Sequence, residues 1–128
     1  MTQNIRDLFL TRARDRQSWQ ALVTKAGLTN VSATEVQPID QTIGVYEAGD
    51  LVATGSLAGN VLKYVAVCPT YHGSGHLFDL IVGELINRAA QQGHFHLLVF
   101  TKPQYQASFQ YVGFQLLVAT DLGVLLES

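Results

Sequence analysis

The chain has 128 residues, of which 48% are hydrophobic and 14% charged, and its formal net charge is −2. This length and apolar content predict a single domain, residues 1–128, with a sizeable core and no second domain. The small negative charge offers no basic surface, so we expect neither a general nucleic-acid binder nor a protein held on an anionic membrane. Cys68 is the only cysteine, which excludes a disulfide framework and a cysteine-based metal cluster. No segment has the character of a secretory signal or a membrane span, and we expect a cytoplasmic protein.

The first third of the chain predicts one strand and one helix. Residues 5–11 fit either a short strand or the start of a helix. In residues 15–26 apolar side chains recur at helical spacing, and Gly27 ends the pattern; this predicts a helix that covers one face of a sheet. Residues 30–41 are polar, contain Pro38 and show no sustained period, so we interpret them as a loop.

Three strands are predicted next, at residues 42–46, 51–57 and 61–68. Residues 47–50 form a hairpin signal between the first two, and residues 58–60 form a second turn. The third run is nearly uncharged and rich in β-branched residues, which suits a buried strand, and Pro69 ends it.

A glycine turn and a long helix follow this third strand. The turn is His72-Gly73-Ser74-Gly75-His76, and apolar residues then recur at helical spacing up to Gly93, the predicted C-cap. Unpaired N–H groups and the positive end of the helix dipole converge at such a turn, which suits a phosphate. On the glycines alone, a tight connection without a ligand is the favoured interpretation.

The last third predicts a strand at residues 96–101, a short helix at 103–111 and strands at 114–119 and 124–127. Because a helix separates residues 61–68 from residues 96–101, these two strands should be parallel neighbours. The element order predicts a mixed α/β (α+β) fold, a mostly antiparallel sheet with helices on both faces.

Two motifs resemble those of the GNAT acetyltransferase superfamily. A strand ending in Val65-Ala66-Val67 and a helix opened by residues 72–77 are similar to its acyl-CoA-binding motif, and residues 111–114 resemble the motif that closes its last helix. More specifically, residues 55–67, 83–90 and 96–114 resemble the N-terminal domain of citrate lyase ligase. This resemblance covers residues 42–128, and its most specific blocks are residues 57–60 and 100–102.

The resemblance implies a GNAT acyl-CoA N-acyltransferase fold that binds acetyl-CoA or a dephospho-CoA-like group, without a metal. The strand would pair with the pantetheine arm, and the glycine turn would hold the diphosphate. The cofactor-binding residues are then Val65, Ala66, Val67, His72, Gly73, Ser74, Gly75, His76, Leu77, Thr101 and Phe109.

Some positions depart from the superfamily pattern or have two interpretations. His72 and Leu77 stand where Gln or Arg and Gly or Ala are usual, and both should weaken CoA binding; Leu77 adds bulk where backbone and ligand should approach closely. His72 is either an anion ligand or an exposed loop residue. Asn60 and Thr101 lie at the ends of adjacent strands, where a mixed sheet tends to place its ligand crevice, but each fits a turn or cap equally well.

No complete acid–base pair is found, and no catalytic residue is assigned. Residues 61–68 contain no Asp or Glu, and Glu47 and Asp50 are expected to be solvated. Phe109 stands at the place of the superfamily's tyrosine acid and has no proton to give. Tyr105, one helical turn earlier on the same face, can reach inward, whereas Tyr111 should face elsewhere; core packing is favoured for both.

The remaining polar candidates are weaker. His94 and His96 alternate along a predicted strand and His72 and His76 are four apart, but no carboxylate or cysteine joins either pair at ligand spacing, which disfavours a metal site. Cys68 fits a buried small hydrophobe better than a nucleophile. Lys63 either snorkels to the sheet edge or faces the ligand groove.

Two functions from different classes follow. One is a recognition module of a citrate lyase ligase, which by resemblance acetylates, with ATP, the dephospho-CoA-derived group on the lyase's acyl carrier protein. The other is a free-standing acetyl-CoA-dependent N-acetyltransferase acting on a small amine. The His-x-Gly-His-type signature of a nucleotidyltransferase domain does not occur, so adenylation would lie elsewhere. The missing acid–base pair favours the ligase module. The oligomeric state stays open.

Overall fold

The computed structural model describes residues 3–26, 41–70 and 75–128. The order of its elements is the predicted one. The strands are β1 (Gln3–Leu8), β2 (Gln41–Glu47), β3 (Asp50–Ala58), β4 (Val61–Val67), β5 (Leu98–Thr101), β6 (Gln115–Ala119) and β7 (Val124–Glu127). The helices are α1 (Ala13–Lys25), α2 (His76–Gln91) and α3 (Gln106–Tyr111), and a 3-10 turn (Pro103–Tyr105) precedes α3.

Several predicted boundaries needed adjustment. The ambiguous segment at residues 5–11 is a strand that ends at Leu8, and the short helix predicted at 103–111 begins as a 3-10 turn. Gln41 belongs to β2 rather than to the predicted loop, while Gly27 and residues 30–40 lie outside the described part of the chain. Gly93, with a φ of +85°, follows α2 in the left-handed conformation of a helix-ending glycine, as predicted.

The seven strands form one sheet in the order β1-β2-β3-β4-β5-β7-β6. β4 and β5 are the parallel pair, as predicted, and each of the other neighbouring pairs is antiparallel. The prediction of a mixed, mostly antiparallel sheet is confirmed.

Helices cover both faces of this sheet. Side chains alternate along β4, so Val65 and Val67 join the core under α2 and α3, whereas Ala66 packs with Trp19 and Val23 of α1. α2 lies directly on β3 at Gly55. A Cβ atom at this residue would come within 2.8 Å of Leu85 Cδ1 and 2.9 Å of Ile81 Cγ2.

The hairpin between β2 and β3 contradicts the prediction that both Glu47 and Asp50 are solvated. Ala48 and Gly49 turn the chain with φ of +53° and +86°, the left-handed pair that suits a two-residue hairpin. Asp50 is exposed, as expected, but Glu47 is only 6% exposed. It ends β2 on the same face as Ile43 and Val45, so strand alternation turns its side chain inward. No described residue donates a hydrogen bond to its Oε2 atom.

Arg88 fixes the C-terminal half of α2 to the first strand. Its Nη1 lies 2.5 Å from Asp7 Oδ1, and its Nε lies 2.9 Å from Glu84 Oε2. Burial alone lowers the pKa of Arg88, but its hydrogen bonds to Glu84 and Asp7 raise that pKa above the ordinary value. None of the described helices combines the length and hydropathy needed to cross a bilayer.

Candidate ligand site at the split between β4 and β5

β4 and β5 are neighbours over only part of their length. Val61 pairs with Leu98, and Leu62 pairs with Val99. No further pair between these strands occurs in the described ranges, although all of β5 pairs with β7 on its other side. We call residues 61–62 the paired half of β4, residues 65–67 its open half, and the gap beside the open half the β4 cleft.

A bulge at Tyr64 separates the two halves. Thr54 pairs with Ala66 while Ser56 pairs with Lys63, so Gly55 faces two residues of β4 where a regular ladder would offer one. Tyr64 has a φ of +54°, and its ring meets Trp19 of α1 edge-on at 5.9 Å between centroids. A bulge bends its strand and increases its twist. β4 therefore leaves β5 at this point.

The backbone of the open half presents polar groups to the cleft. The Cys68 N–H donates to Val52 O of β3 at 2.8 Å. Because backbone groups alternate sides along a strand, those of Val65 and Val67 point away from β3, toward the cleft. The groups of Ala66 point to β3. The structure thus separates two predicted ligand-pairing residues from the third.

An aromatic cluster contacts the open half of β4 through Tyr105. The Tyr105 hydroxyl accepts a hydrogen bond from the Val67 N–H at 3.3 Å, and the Tyr105 ring stacks on Phe78 at 5.9 Å. Phe78 meets Phe109 edge-on at 4.8 Å, and Phe109 meets Phe114 at 5.3 Å. Tyr105 reaches inward, as predicted, and Phe109 is wholly buried. Sequence reasoning left Phe78 and Tyr105 out of the site because both are typical core residues.

The prediction of core packing for Tyr111 is wrong. This residue ends α3 with 85% of its surface exposed, because the outer side of that helix is not covered. Tyr105 is only 5% exposed, so the two tyrosines do face different surroundings, as expected.

The N-terminus of α2 borders a cavity of about 360 Å³ between α2 and α3, lined by Gly75, Phe78, Asp79, Ala107, Ser108 and Tyr111. Gly75 precedes the helix with a φ of +68°, and His76, its first residue, is exposed. Leu77 is buried in the core, and its expected weakening of CoA binding stays a prediction. The exposed Asp79 adds a negative charge that opposes an anion here. His72, Gly73 and Ser74 lie outside the described residues, and the phosphate cradle stays a prediction.

Asn60 and Thr101 do not share one end of the sheet. Asn60 precedes β4 and donates from Nδ2 to His96 O at 3.2 Å, whereas Thr101 ends β5 and pairs with Val124. Because β4 and β5 are parallel, Asn60 lies at the opposite end from the cleft, so of its two interpretations the structure supports the turn residue and not the crevice residue. Lys63 is exposed.

The histidines predicted to alternate on a strand precede it, because β5 begins at Leu98. His96 Nε2 lies 2.6 Å from Glu127 Oε1. Across residues 3–26, 41–70 and 75–128, no group of three His, Cys, Asp or Glu side chains is placed to hold a metal ion.

A second cavity, of about 400 Å³, lies where β4 ends, and Lys25, Asp50 and Cys68 are among its lining residues. Cys68 is half-buried against the core, with its Sγ atom 3.2 Å from Thr70 Oγ1. It is therefore less buried than the sequence predicts.

Comparison with solved structures identifies the fold. An N-acetyltransferase from Staphylococcus aureus matches with a TM-score of 0.75 and 18% identity, over 99% of this chain and 97% of that chain. The PaiA N-acetyltransferase of Thermoplasma acidophilum, solved in complex with coenzyme A, matches with a TM-score of 0.71 and 11% identity, over 100% of this chain and 99% of that one. The chain therefore has the GNAT acyl-CoA N-acyltransferase fold.

Sequence comparison gives the nearer relationship. The chain is 35% identical over 95 residues to the citrate (pro-3S)-lyase ligase of Escherichia coli and 40% identical over 79 residues to that of Klebsiella pneumoniae. These matches cover 70% and 61% of this chain but only 27% and 23% of the two ligases. No family model matches the chain. It is a GNAT domain that resembles the N-terminal region of citrate lyase ligase, as its motifs predict.

Proposed function

We propose that this domain binds a CoA-type thiol, with the pantetheine arm in the β4 cleft and the diphosphate at the N-terminus of α2. The observation that carries the proposal is the open half of β4, where Val65 and Val67 direct backbone N–H and C=O groups away from β3. Pantetheine contains two amide groups, which can pair with such an edge as an added strand does. The paired half of β4 has no comparable edge, because β5 occupies it.

Within this class, the domain acts as the recognition module of a citrate lyase ligase. Its ligand is then the dephospho-CoA-derived group on the lyase's acyl carrier protein, the group that such ligases acetylate with ATP. Two observations support a binding role over a catalytic one. The residues of β4 include no carboxylate, and Phe109, wholly buried, has no proton to transfer. Holding a pantetheine arm requires hydrogen bonds but no proton transfer.

A second candidate is acetyl transfer from acetyl-CoA to a small amine. The cavity at the end of β4 favours it, because Cys68, which follows the open half, and Asp50 both line that cavity, and a carboxylate such as that of Asp50 can pair with an ammonium group. Release of free CoA in the presence of amines would support this candidate over the ligase module.

Thermal unfolding with acetyl-CoA, dephospho-CoA and ADP tests the binding itself. A ligand that binds only the folded form stabilises it by about 2.7 kcal/mol at one hundred times its Kd. We expect both pantetheine-bearing compounds to raise the Tm by several degrees and ADP, which lacks the arm, to raise it much less. An unchanged Tm with all three compounds would refute the proposal.

A charge variant tests where the diphosphate lies. Ala107 lines the cavity between α2 and α3, whereas the exposed Gln110 of the same helix does not. Ala107→Glu should weaken dephospho-CoA binding by about 1–2 kcal/mol, roughly five- to thirtyfold in Kd, through charge repulsion. Gln110→Glu adds the same charge outside the cavity and is the matched control. Equal Kd values for the two variants in calorimetric titrations would place the diphosphate elsewhere.

A further inference from the structure

We propose that Arg6 and Arg14 form an anion site on the face of the sheet that α1 covers, and that this site takes the carboxylate or phosphate group of a small second ligand. The diphosphate site proposed above is a different one, because it borders the cavity between α2 and α3 on the other face. The new site therefore goes beyond the proposed function and does not depend on CoA binding.

A cavity of about 310 Å³ brings the two arginines together. Its other lining residues are Asn4, Ser18, Tyr46 and the hairpin residues 48–49. The cavity thus offers two guanidinium groups, a side-chain amide and two hydroxyls, and none of the described residues that line it is Asp or Glu. Arginine binds carboxylate and phosphate groups through two parallel hydrogen bonds, which makes both groups suitable ligands.

Tyr46 positions one of the two charges. Arg6 Cζ lies 4.1 Å from the centroid of the Tyr46 ring, and Asn4 pairs with Tyr46 across β1 and β2. A guanidinium that lies on an aromatic ring keeps its N–H donors at its edge, where an anion can reach them. The pKa of Arg6 is raised, mainly through hydrogen bonding to Tyr46 and least through the charge of Asp15, so Arg6 stays charged.

The described part of the chain supplies no ion pair for either arginine. Arg88 pairs with two carboxylates, whereas no ion pair between described residues includes Arg6 or Arg14. Asp15, which follows Arg14 in α1, is buried, and its Oδ2 accepts a hydrogen bond from the Phe9 N–H at 2.9 Å. Like charges that share a cavity repel each other, and an anion between them replaces this repulsion by attraction.

A continuous groove connects this site to the end of β4. Ser18 and Gly49 line both this cavity and the cavity of about 400 Å³ to which Cys68 contributes. Four lining residues of α1 recur at helical spacing and form one stripe along the helix: Arg14, Ser18, Ala21 and Lys25. A ligand whose anionic group binds the two arginines can therefore extend its other end toward the open half of β4.

Titration of the whole chain with inorganic phosphate and with malonate, a dicarboxylate, tests the site at constant ionic strength. The Nε–H resonances of the arginine side chains report contact with the anion. We expect those of Arg6 and Arg14 to shift and saturate with at least one anion, which identifies the group that binds. The Arg16 signal should stay in place, because Arg16 is exposed on the same helix and does not line the cavity. Shifts that never saturate, or that are equal at all three arginines, would show charge screening alone and overturn the proposal.

Variants measure what each arginine contributes. Arg6→Gln and Arg14→Gln should each raise the Kd of the saturating anion by roughly tenfold or more, because each loses a charge-assisted hydrogen bond. Arg16→Gln removes the same charge from α1 outside the cavity, and its Kd should equal that of the wild type. If Arg14→Gln and Arg16→Gln give equal Kd values, net charge alone attracts the anion and the site is refuted. The titration of the wild type decides the matter where a variant does not fold.

Dephospho-CoA separates this site from the proposed function. At saturation it should leave the Kd of the small anion unchanged, because the two sites lie on opposite faces of the sheet. Competition between the two would show that Arg6 and Arg14 bind the CoA diphosphate, which contradicts a separate site. If the small anion saturates while no CoA compound binds, the proposed function fails and the anion site stands.

Discussion

The two halves of β4 are held in place by different forces. The paired half is fixed on both sides by backbone ladders, to β3 and to β5. The open half keeps its ladder to β3 but meets side chains on the other side, above all the Tyr105 hydroxyl. The comparison shows how a sheet can expose a hydrogen-bonding edge in its middle, because a bulge ends one ladder and an aromatic cluster supports the strand beyond it.

The largest expected effect comes from removing that aromatic support. Phe109→Ala should destabilise the domain by about 3–5 kcal/mol, since it leaves a large cavity between Phe78 and Phe114. Urea unfolding measures the loss. Phe95→Ala deletes the same side chain at a position that is 77% exposed, where about 0.5 kcal/mol or less is expected. Similar losses for both variants would mean that side chains do not hold the open half.

A smaller change in stability tests what determines where β4 separates from β5. Gly55 faces the bulge, and α2 lies on it so closely that Gly55→Ala should cost about 1–3 kcal/mol through overpacking against Ile81 and Leu85. Gly83 lies within α2 with open space around it, so Gly83→Ala should stabilise by about 1 kcal/mol. If unfolding shows Gly55→Ala to be neutral, α2 does not determine where β4 departs from β5.

The sequence predicts the strands and helices around β4 better than it predicts the point where β4 separates from β5. A short apolar run predicts β4 and helical periodicity predicts α2, because such patterns report which faces are buried. The helix between β4 and β5 predicts their parallel pairing. The bulge leaves no such signal. Tyr64 adopts a positive φ that is uncommon for a residue other than glycine, and only its packing on Trp19 and the register with β3 reveal it.

The candidate site was predictable only where it depends on residues that are adjacent in the sequence. The alternation of Val65, Ala66 and Val67 follows from a strand, but the bond between Val67 and Tyr105 depends on how α3 folds back. Glu47 was misjudged because a turn signal suggested exposure, whereas its strand position determined its burial. Thr101 ends β5, the strand that leaves β4 at the split, and its role stays a prediction.

The contact between Trp19 and Tyr64 has a practical consequence. Trp19 is the chain's single tryptophan, fully shielded from solvent, and its indole lies 5.9 Å from the ring at the bulge. The domain thus carries a built-in optical reporter, whose emission responds to any rearrangement of the strand where it parts from its neighbour.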